Sequence, residues 1–360
     1  MLDRIVLFPY YWALRLRNSY YRDRGQKSEV PTICIGNITV GGTGKTPHTE
    51  MILDILQQSD EWGRRNIAVL SRGYKRKSKG FQMVGYNGPA SEYGDEPLQI
   101  KRKFPAVSVA VDRNRVEGCD LLVHPEKVQS GKYKDKVHFP DFPAADIIVL
   151  DDAFQYRKLR PDVNIVLVDY SRPIDEDQLL PLGNLRDLRE RISEADIVIV
   201  SKCPRDMDPE EKKSWADRLG VAEEKMFFTY IKYSDIIPMY DSTDRHYVYS
   251  KKAIMFTGIA RDTAMQYYLS DIYKILHKFS FGDHHKYSKG DFQSMLAVVK
   301  KYPAAALITT EKDAMRVYDF QGVPEMLKER MFYLPIQVDF LEYGDRERFT
   351  SRLLKSISGR

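Results

Sequence analysis

A glycine-rich segment between an apolar run and a helical pattern constrains the fold more than any other feature of this 360-residue sequence. The apolar run spans residues 32–36, the glycine-rich segment spans residues 41–46 (GGTGKT), and the helical pattern continues to about Leu56. Glycine has no Cβ, so the backbone of such a segment can turn its N–H groups toward one point. The positive end of the following helix faces the same point. A strand, a glycine-rich turn and a helix in this order are typical of a phosphate-binding loop.

This loop is predicted to bind the phosphates of a nucleotide. Lys45 would neutralise charge on the β- and γ-phosphates, and the Thr46 hydroxyl would hold Mg²⁺. The usual pattern, G-x-x-x-x-G-K-[ST], has a glycine where this sequence has Thr39. A strand–helix turn that binds nothing is the alternative, and it is disfavoured because the GKT tripeptide falls between a strand and a helix. The predicted nucleotide-binding residues are Thr39, Val40, Gly41, Gly42, Thr43, Gly44, Lys45 and Thr46.

A second apolar run supplies the carboxylates that such a loop needs. Residues 147–150 (IIVL) are followed by Asp151 and Asp152, as in a strand that brings an acidic residue to Mg²⁺. Adjacent side chains leave a strand on opposite faces, so the two aspartates cannot both face the metal. We predict both as candidate metal ligands and favour Asp151. The alternative is an aspartate that caps the next helix.

The remaining pattern predicts an α/β fold with two domains. Runs rich in Ile and Val without alternation are typical of strands covered on both faces, and the helical patterns between them predict a mostly parallel sheet. We therefore expect a P-loop NTPase-like sheet followed by a second, smaller α/β domain that includes a strand at 331–338. The predicted divisions are an amphipathic helix at 1–27, a nucleotide-binding domain at 28–232, a ribbon linker at 233–251, and the smaller domain with a C-terminal helix at 252–360.

The N-terminal segment 2–17 is rich in aromatic and aliphatic residues, with arginines toward its end. Tryptophan, tyrosine and basic side chains favour the headgroup region of an anionic membrane. One interpretation is a helix that lies on a membrane, and the other is a helix docked on the protein's own core. No run approaches the ~18 apolar residues that span a bilayer, and Pro9, Arg15 and Arg17 interrupt any signal-peptide pattern. We expect a protein that stays on the cytoplasmic side and keeps its N-terminus.

Charge and cysteine content argue against two other classes of protein. The formal net charge of +5 arises from 56 basic and 51 acidic residues, too small an excess to predict a nucleic-acid-binding protein. The three cysteines, Cys34, Cys119 and Cys203, are far apart and form no metal-ligand spacing. We therefore expect reduced, partly buried thiols and no structural zinc site.

Several segments, spread from about residue 31 to residue 316, resemble the tetraacyldisaccharide 4′-kinase family of lipid A synthesis, which shares the Thr39 departure. The resemblance implies a kinase that uses ATP and Mg²⁺ to phosphorylate the 4′-hydroxyl of a tetraacylated glucosamine disaccharide 1-phosphate. It also implies an N-terminal helix that contacts the cytoplasmic side of the inner membrane, as a peripheral protein on an anionic surface. We expect the membrane glycolipid as partner, and neither nucleic acid nor an obligate protein partner. The segments are 35–47 (IGNITVGGTGKTP), 70–74 (LSRGY), 94–97 (GDEP), 151–156 (DDAFQY), 180–186 (LPLGNLR), 281–285 (FGDHH) and 309–314 (TTEKDA).

The resemblance further implies the residues on the acceptor side of the site. Asp95 would accept the proton of the attacking hydroxyl, and His284 would tune or relay it, with His285 as the alternative histidine. From the residues alone, the favoured interpretations are a turn residue at Asp95 and a capping or surface histidine at His284. Lys45 completes the predicted catalytic set. The residues predicted to hold a substrate phosphate follow strand ends, where ligands gather in such sheets, and are Arg72, Arg113 and Arg115.

Two other functions are also compatible with the sequence. The first is a P-loop GTPase or ATPase that regulates or loads a partner protein. Guanine recognition uses N/T-K-x-D after a strand, whereas residues 201–204 read SKCP, with Pro204 in place of the aspartate. The second is a membrane-binding module with an inactive nucleotide site, which the intact Lys45, Thr46 and Asp151 argue against.

Overall fold

The computed structural model of the chain describes residues 2–22 and 24–358, with side chains from residue 7 onward. Within these residues the chain forms one sheet of nine strands and one of five, with helices on their faces. The predicted α/β fold class is confirmed, as is the mostly parallel larger sheet. The strands are β1 (Thr32–Asn37), β2 (Ile67–Ser71), β3 (Gln82–Met83), β4 (Ser108–Val111), β5 (Ile147–Asp151), β6 (Val163–Asp169), β7 (Ile197–Ser201), β8 (Met226–Tyr233), β9 (Ile237–Pro238), β10 (Lys252–Thr257), β11 (Lys274–Ser280), β12 (Ala306–Thr310), β13 (Met331–Leu334) and β14 (Ile336–Phe340).

The ends of several helices follow local capping chemistry. The side chain of Ser288 accepts the backbone N–H of Asp291, and the carboxylate of Asp291 accepts the N–H of Ser288, which starts one helix with a capping box. Thr310 caps another helix by accepting the N–H of Asp313. The helices are α1 (Leu2–Tyr21), α2 (Lys45–Gln58), α3 (Ala90–Tyr93), α4 (Asp95–Lys103), α5 (Arg115–Val123), α6 (Pro209–Leu219), α7 (His246–Tyr249), α8 (Thr263–Ile272), α9 (Lys289–Lys301), α10 (Glu311–Tyr318), α11 (Glu325–Lys328) and α12 (Asp345–Ser358).

The larger sheet has the strand order β14-β8-β7-β6-β1-β5-β2-β4-β3, with β14 and β3 antiparallel at its two edges. The strands between them are parallel, and every residue of β1, β2, β5 and β7 is buried, as expected for Ile- and Val-rich runs covered on both faces. The chain leaves β1 toward β2 on one side and later passes from β5 to β6 on the other. The carboxyl end of β1 is therefore a point of reversal, where ligands bind in sheets of this kind.

The smaller sheet has the strand order β11-β10-β12-β13-β9. The predicted single strand at 331–338 is wrong, because Pro335 divides it into β13 of the smaller sheet and β14 of the larger one.

The C-terminal helix also lies on the larger domain, where α12 contacts β6 and β14 and the ring of Phe349 lies 5.2 Å from that of Phe227. The predicted ribbon at 233–251 contains β9 and α7 instead, and the two strands that pair between the domains are β8 and β14. An apolar run shows that a segment is buried but not which of two sheets buries it.

The domains meet where α10 of the smaller domain packs along α3 and α4 of the larger one. Lys312 Nζ lies 2.8 Å from Glu96 Oε1, and Arg316 Nε donates to Asp95 Oδ2 over 2.9 Å. Lys312 and Arg316 are four residues apart, so they lie on one face of α10. Asp319, just after α10, accepts two backbone N–H groups at the start of α3 over 2.7 and 2.8 Å. The interface is therefore organised by charge.

A buried polar cluster lies at the same interface. Gln99 Nε2 of α4 lies 2.8 Å from Glu50 Oε1 of α2 and 3.3 Å from Glu311 Oε2 of α10. Lys103 Nζ donates to Glu50 and lies 4.0 Å from Glu311. Burial, aided by the charge of Glu50, raises the pKa of the Glu311 carboxyl to about 7. One lysine thus faces two carboxylates, and ionising the second carboxylate costs stability.

We expect Glu311→Gln to raise the stability of the chain, and to raise it more at about pH 8 than at about pH 5. A carboxyl whose pKa rises on folding makes the native state less stable as pH rises from the ordinary value of 4.5 toward about 7. Glutamine avoids that loss and keeps an oxygen that can accept the Gln99 amide. Thermal unfolding of both proteins at the two pH values measures the effect, with the exposed Glu325→Gln as control. A difference in Tm that does not grow with pH would contradict this prediction.

Candidate active site

The segment between β1 and α2 forms a tight loop at the point of reversal in the larger sheet. Gly41 and Gly44 have φ angles of 95° and 85°, in the left-handed region that favours glycine. His48, in the first turn of α2, supports the loop from inside: its Nδ1 lies 2.7 Å from Gly44 O and its Nε2 lies 3.0 Å from Thr229 Oγ1. Burial lowers the pKa of His48 to about 4, so the imidazole is neutral and donates from Nδ1 to the Gly44 carbonyl.

The other predicted loop residues differ in their exposure. Thr39 and Thr43 are buried, and Val40 donates its backbone N–H to Asn184 O over 2.8 Å. Gly42 is exposed. The middle of the loop is therefore open at Gly42, while its flanks are held by the protein.

A cluster of charged side chains surrounds the start of α2. Lys45 Nζ lies 3.8 Å from Asp152 Oδ1 and 3.4 Å from Asn37 Oδ1. Arg186 donates to both carboxylate oxygens of Asp152 and to Asn37 Oδ1. Burial alone would raise the pKa of Asp152, but the charges of Lys45 and Arg186 outweigh it and lower this pKa to about 2. Asp152 is therefore an ionised partner that holds the loop lysine in place.

Asp151 has the opposite electrostatic character. Its Oδ2 accepts the Ser71 hydroxyl over 2.9 Å, and its buried Oδ1 has no hydrogen-bond partner among the described residues. Burial, together with the charges of Glu96 and Asp152, raises the pKa of Asp151 to about 7. A carboxylate oxygen without a hydrogen-bond donor is a suitable ligand for Mg²⁺. A bound Mg²⁺ would in turn favour the ionised form of Asp151. Asp151 and the Thr46 hydroxyl are the residues that would hold the ion.

Two cations support the loop from β6 and β7. Asp169, at the end of β6, accepts Lys202 Nζ over 2.7 Å and Arg172 Nη2 over 3.2 Å. Lys202 also donates to the carbonyl of Gly42. The lysine of the SKCP segment therefore bonds to the phosphate loop, whereas Pro204 offers no carboxylate to a guanine base.

Asp95 and His284 come from different domains and meet at the domain interface. Asp95 begins α4, and His284 follows β11 with a φ of 61°. His284 Nδ1 lies 3.3 Å from Asp95 Oδ2, so the structure brings the two predicted residues into contact. His285, the alternative histidine, lies with its Nε2 3.0 Å from Asp291 Oδ2 and its ring stacked on Phe281.

A buried arginine joins this pair. Arg316 Nε donates to Asp95 Oδ2 over 2.9 Å, and its Nη2 lies 3.3 Å from His284 Nδ1. Its Nη1 donates to Gly258 O over 2.8 Å and to Asp313 Oδ1 over 2.9 Å. Burial alone would raise the pKa of Asp95, but the hydrogen bond from His284 and the neighbouring basic side chains hold it well below its ordinary value. Asp95 is therefore ionised throughout the neutral range.

The three arginines predicted for a substrate phosphate do not form one group. Arg72 and Arg113 are exposed at the carboxyl ends of β2 and β4. Arg115 is only 2% exposed, and its Nη1 donates to Asp112 O over 2.6 Å. Burial lowers the pKa of Arg115, although the nearby charge of Asp151 opposes this effect. Arg115 is thus buried close enough to Asp151 and Asp152, the predicted metal ligands, for their charges to act on it.

Arg186 and Arg316 contact the site but were not among the predicted site residues. Arg186 is the last residue of the LPLGNLR segment, and Arg316 follows the TTEKDA segment by two residues. The four-residue spacing between Lys312 and Arg316 was a signal in the sequence, since it places two cations on one helix face. Arg186 lies in a loop with no periodicity, so nothing in the sequence indicates its direction.

We expect Gly36→Ala to lower the Tm of the chain by several degrees and to weaken nucleotide binding. A Cβ at Gly36 would lie 2.4 Å from the Cβ of Phe154, and overpacking of this kind costs about 1–3 kcal/mol. Movement of Phe154 would also displace Asp151 and Asp152. The matched control is Gly42→Ala, whose Cβ would meet nothing within 4 Å and should leave the Tm unchanged. Thermal unfolding without nucleotide tests this prediction, and equal Tm values for the two variants would contradict it.

The sequence and the fold of the chain are similar to those of known proteins. The family model described as tetraacyldisaccharide-1-P 4′-kinase matches residues 4–358. The tetraacyldisaccharide 4′-kinase of Phocaeicola vulgatus is 36% identical over 363 residues, covering 96% of this chain and 93% of its own. That of Parabacteroides distasonis is 34% identical over 373 residues, covering 98% and 93%. The crystal structure of the apo form of LpxK from Aquifex aeolicus in complex with ATP superposes with a TM-score of 0.70 at 25% identity, covering 99% of this chain and 100% of that one. The chain therefore belongs to the tetraacyldisaccharide-1-P 4′-kinase family.

Proposed function

We propose that the phosphate loop and the contact between Asp95 and His284 form the active site of a tetraacyldisaccharide 4′-kinase. The reaction transfers the γ-phosphate of ATP to the 4′-hydroxyl of a tetraacylated glucosamine disaccharide 1-phosphate in lipid A biosynthesis. The observation that carries the proposal is the pairing, in a chain of this family, of a phosphate loop from one domain with an aspartate–histidine contact at the domain interface. The loop suits the nucleotide, and the contact suits an acceptor hydroxyl.

The alternative function, a GTPase or ATPase that regulates or loads a partner protein, is wrong. The family match extends through both domains, over residues 4–358, and the two relatives named above are tetraacyldisaccharide 4′-kinases. Pro204 also stands where guanine recognition requires a carboxylate.

The nucleotide side of the site supports transfer by position and charge. Phosphoryl transfer requires alignment of the acceptor oxygen and neutralisation of the phosphate charge, with little covalent work by the protein. Lys45 would exchange Asp152 and Asn37 for the β- and γ-phosphate oxygens. Mg²⁺, held by Thr46 and Asp151, would neutralise further phosphate charge. Arg186 would keep Asp152 compensated once Lys45 has moved.

The acceptor side supports binding of a phosphorylated sugar. Arg72 and Arg113 are exposed at strand ends on the same edge of the sheet as the loop, and they would bind the 1-phosphate of the substrate. Asp95 would accept the proton of the 4′-hydroxyl, and His284, whose Nδ1 lies 3.3 Å from Asp95 Oδ2, would tune or relay it. Arg115, being buried, would act on the charge of the metal site rather than on the substrate.

The two faces of α1 support a peripheral association with an anionic membrane surface. We define the α1 stripe as Phe8, Trp12, Leu16 and Tyr20, which lie four residues apart and are 61%, 42%, 65% and 56% exposed. Four-residue spacing places these side chains along one helix face. Such a stripe would enter the headgroup region on the cytoplasmic side of the inner membrane, where the acylated substrate lies. Among the described residues, no helix has the length and apolar character needed to cross a bilayer.

The other face of α1 is docked on the larger domain. Leu14 is buried in the core, and the Tyr10 hydroxyl donates to Arg186 O over 3.3 Å. Arg17 and Asn18 donate to the carboxylate of Asp187, each over 3.0 Å. The two interpretations of the N-terminal segment therefore combine, since one face packs on the protein while the other is free to meet lipid.

We expect Lys45→Ala to abolish kinase activity, by at least about 10²–10³-fold, because a cation at the transferred phosphate acts on the charge of the transition state. The fold should persist, since Asp152 keeps Arg186 as its partner. The assay follows radiolabelled phosphate from ATP to the disaccharide 1-phosphate, with thermal unfolding alongside. The exposed Lys75→Ala serves as the control for loss of a single positive charge. Near-normal turnover in a folded Lys45→Ala protein would refute the phosphate-loop assignment.

We expect replacement of Phe8, Trp12 and Leu16 by serine to abolish flotation with anionic vesicles while leaving the Tm unchanged. These side chains are exposed, so the folded state does not depend on them, and membrane binding scales with the apolar area buried in lipid. Turnover of detergent-dispersed substrate should be retained, and turnover of bilayer-embedded substrate should fall.

The contrasting variant is Leu14→Ser on the docked face. It should lower the Tm, because the side chain is buried, and should affect flotation less than the triple replacement. Equal flotation of the wild-type chain and the triple variant would contradict a membrane role for the α1 stripe.

A further inference from the structure

A histidine and two carboxylates meet at the end of α5. Asp120 lies in the last turn of α5, and His124 is the first residue after the helix. The N–H of His124 donates to Asp120 O over 2.9 Å, as in a helical turn, so their side chains lie one turn apart on one face. Glu29 comes from residues 24–31, between α1 and β1, and both of its carboxylate oxygens lie 3.1 Å from His124 Nε2. One donor atom of each residue lies within 4.8 Å of a donor atom of each of the other two.

Carboxylates face both ring nitrogens of His124. Nε2 faces Glu29, and Nδ1 lies 3.4 Å from Glu126 Oε1. A neutral imidazole carries one N–H, so it donates to one of these carboxylates and turns a lone pair toward the other. A metal ion on Nε2 removes this conflict, because Nδ1–H then donates to Glu126. A metal-bound histidine whose second nitrogen donates to a carboxylate is the usual arrangement in proteins. A second proton on the ring is the other way to remove the conflict.

The charge of this cluster also favours a cation. Three carboxylates surround the imidazole, and Lys127 Nζ compensates one of them, 2.6 Å from Asp120 Oδ1. Asp120 has a second oxygen that can bind a metal while Oδ1 keeps the lysine. It is also an acidic residue in the last turn of a helix, where the helix dipole disfavours negative charge. A divalent cation would neutralise the negative charge that remains.

The three side chains have the freedom and the space to close around an ion. In a tetrahedral zinc site, with bonds of about 2.0–2.1 Å, the donor atoms lie about 3.3 Å apart. Glu29 and His124 are already at this separation, and Asp120 requires a small rotation. The side chains of Glu29 and Asp120 are 69% and 45% exposed, so both can rotate. Both also line a cavity of about 450 Å³, which gives an ion access and room for a water ligand.

We propose that Glu29, Asp120 and His124 form a binding site for a divalent transition-metal ion such as Zn²⁺, with Glu126 as the positioning residue that orients the imidazole. One imidazole nitrogen with carboxylate oxygens suits Zn²⁺, whereas Mg²⁺ prefers oxygen ligands alone. The site shares no residue with the phosphate loop or with the contact between Asp95 and His284. It therefore stands independently of the proposed function.

No cysteine takes part in this site. The wide cysteine spacing that disfavours a structural zinc site therefore has no bearing on it. Cys119 lines the same cavity, but burial raises the pKa of its thiol to about 12, which keeps the sulfur neutral and a poor ligand.

A bound ion would join two separate parts of the chain. Glu29 belongs to the segment that follows α1, whereas Asp120 and His124 belong to the end of α5. The metal would thus stabilise the attachment of the N-terminal region to the larger domain. Because the ion binds the folded arrangement of these ligands, it should raise the Tm of the chain.

The first test is titration of the full-length chain with ZnCl₂ after removal of metals by a chelator. Calorimetry without nucleotide, in a buffer that contains millimolar Mg²⁺, should show one Zn²⁺ per chain with a Kd in the micromolar range or lower. The Mg²⁺ fills sites made of oxygen ligands alone, including the one predicted at Asp151. At a hundredfold excess of Zn²⁺ over the Kd, the Tm should rise by about 2 °C or more.

The ligands are tested by single replacements. His124→Gln and Glu29→Gln should each weaken Zn²⁺ binding by about tenfold or more, and should leave the Tm of the metal-free chain little changed because both positions are on the surface. The matched control is His246→Gln, which removes an exposed histidine whose Nδ1 lies 2.7 Å from Asp244 Oδ1. The described residues do not extend that pair to a third ligand, so Zn²⁺ binding should be unchanged.

A gain of affinity provides a sharper test. Lys127→Ala should tighten Zn²⁺ binding several-fold, because it frees Asp120 Oδ1 and removes a positive charge beside the ion. Lys132→Ala is the control, since Lys132 lines the same cavity but pairs with Glu117. Equal Zn²⁺ affinity in the two lysine variants would contradict the ligand role of Asp120.

The positioning role of Glu126 is tested by two replacements. Glu126→Ala should weaken Zn²⁺ binding by about tenfold, the lower end of the effect of a residue that orients a metal-bound histidine. Glu126→Gln keeps an oxygen that accepts Nδ1–H, and it should retain most of the affinity. A merely structural role would lower the Tm of the metal-free chain and leave the Zn²⁺ affinity unchanged.

Two results would overturn the proposal. One is the absence of Zn²⁺ binding to the wild-type chain in the presence of Mg²⁺. The other is a Zn²⁺ affinity that His124→Gln leaves unchanged or that His246→Gln lowers equally. The cluster would then be a network of ion pairs around a doubly protonated imidazole. Since these measurements use neither ATP nor the disaccharide, their outcome is separate from that of the proposed function.

Discussion

The contact between Asp95 and Arg316 is the interaction on which the rest of the site depends. It joins the first residue of α4 to the last turn of α10, and so sets how the smaller domain sits against the larger one. A buried ion pair contributes little net stability, because its desolvation offsets most of its attraction. The ion pair instead fixes the geometry of the interface, because the guanidinium has all its partners only when Asp95, Gly258 and Asp313 are in place. The two halves of the site are therefore assembled by the same bonds that position the domains.

The charged side chains around the phosphate loop are held in position without a bound nucleotide. Asp152 pairs with Lys45 and Arg186, and Asp169 pairs with Lys202, so mutually repelling cations are held beside the loop. Asp151 is the reverse case, a buried carboxylate whose pKa is raised to about 7 chiefly by burial. The phosphates of ATP would supply negative charge to the cations beside the loop, and Mg²⁺ would supply positive charge to Asp151. Preorganised charge of this kind stabilises a transition state without reorganisation at the moment of reaction.

The docking of α1 links the outer surface of the protein to that charge cluster. Asp187 accepts hydrogen bonds from Arg17, Asn18 and Arg191, and the preceding residue, Arg186, binds Asp152. The helix that carries the exposed stripe is therefore attached one residue away from a side chain of the site. A surface bound by the exposed stripe of α1 would therefore lie at a defined distance from the phosphate loop.

The sequence by itself determined the phosphate loop, the strand that ends in Asp151 and Asp152, and the family, because each depends on neighbouring residues whose spacing sets their geometry. Tertiary structure alone decided which sheet receives β14, which face of α1 is exposed, and which arginines reach the site. Arg316 and Asp95 are separated by 221 positions and Arg186 and Asp152 by 34, so local periodicity carries no information about either contact. It also decided that the Asp95 carboxylate is enclosed by the guanidinium of Arg316 and the backbone N–H of Glu96. The physical reason is that the hydrogen-bond partners of a side chain depend on which distant residues the fold brings to it. A motif specifies only the identity of that side chain and its position along the chain.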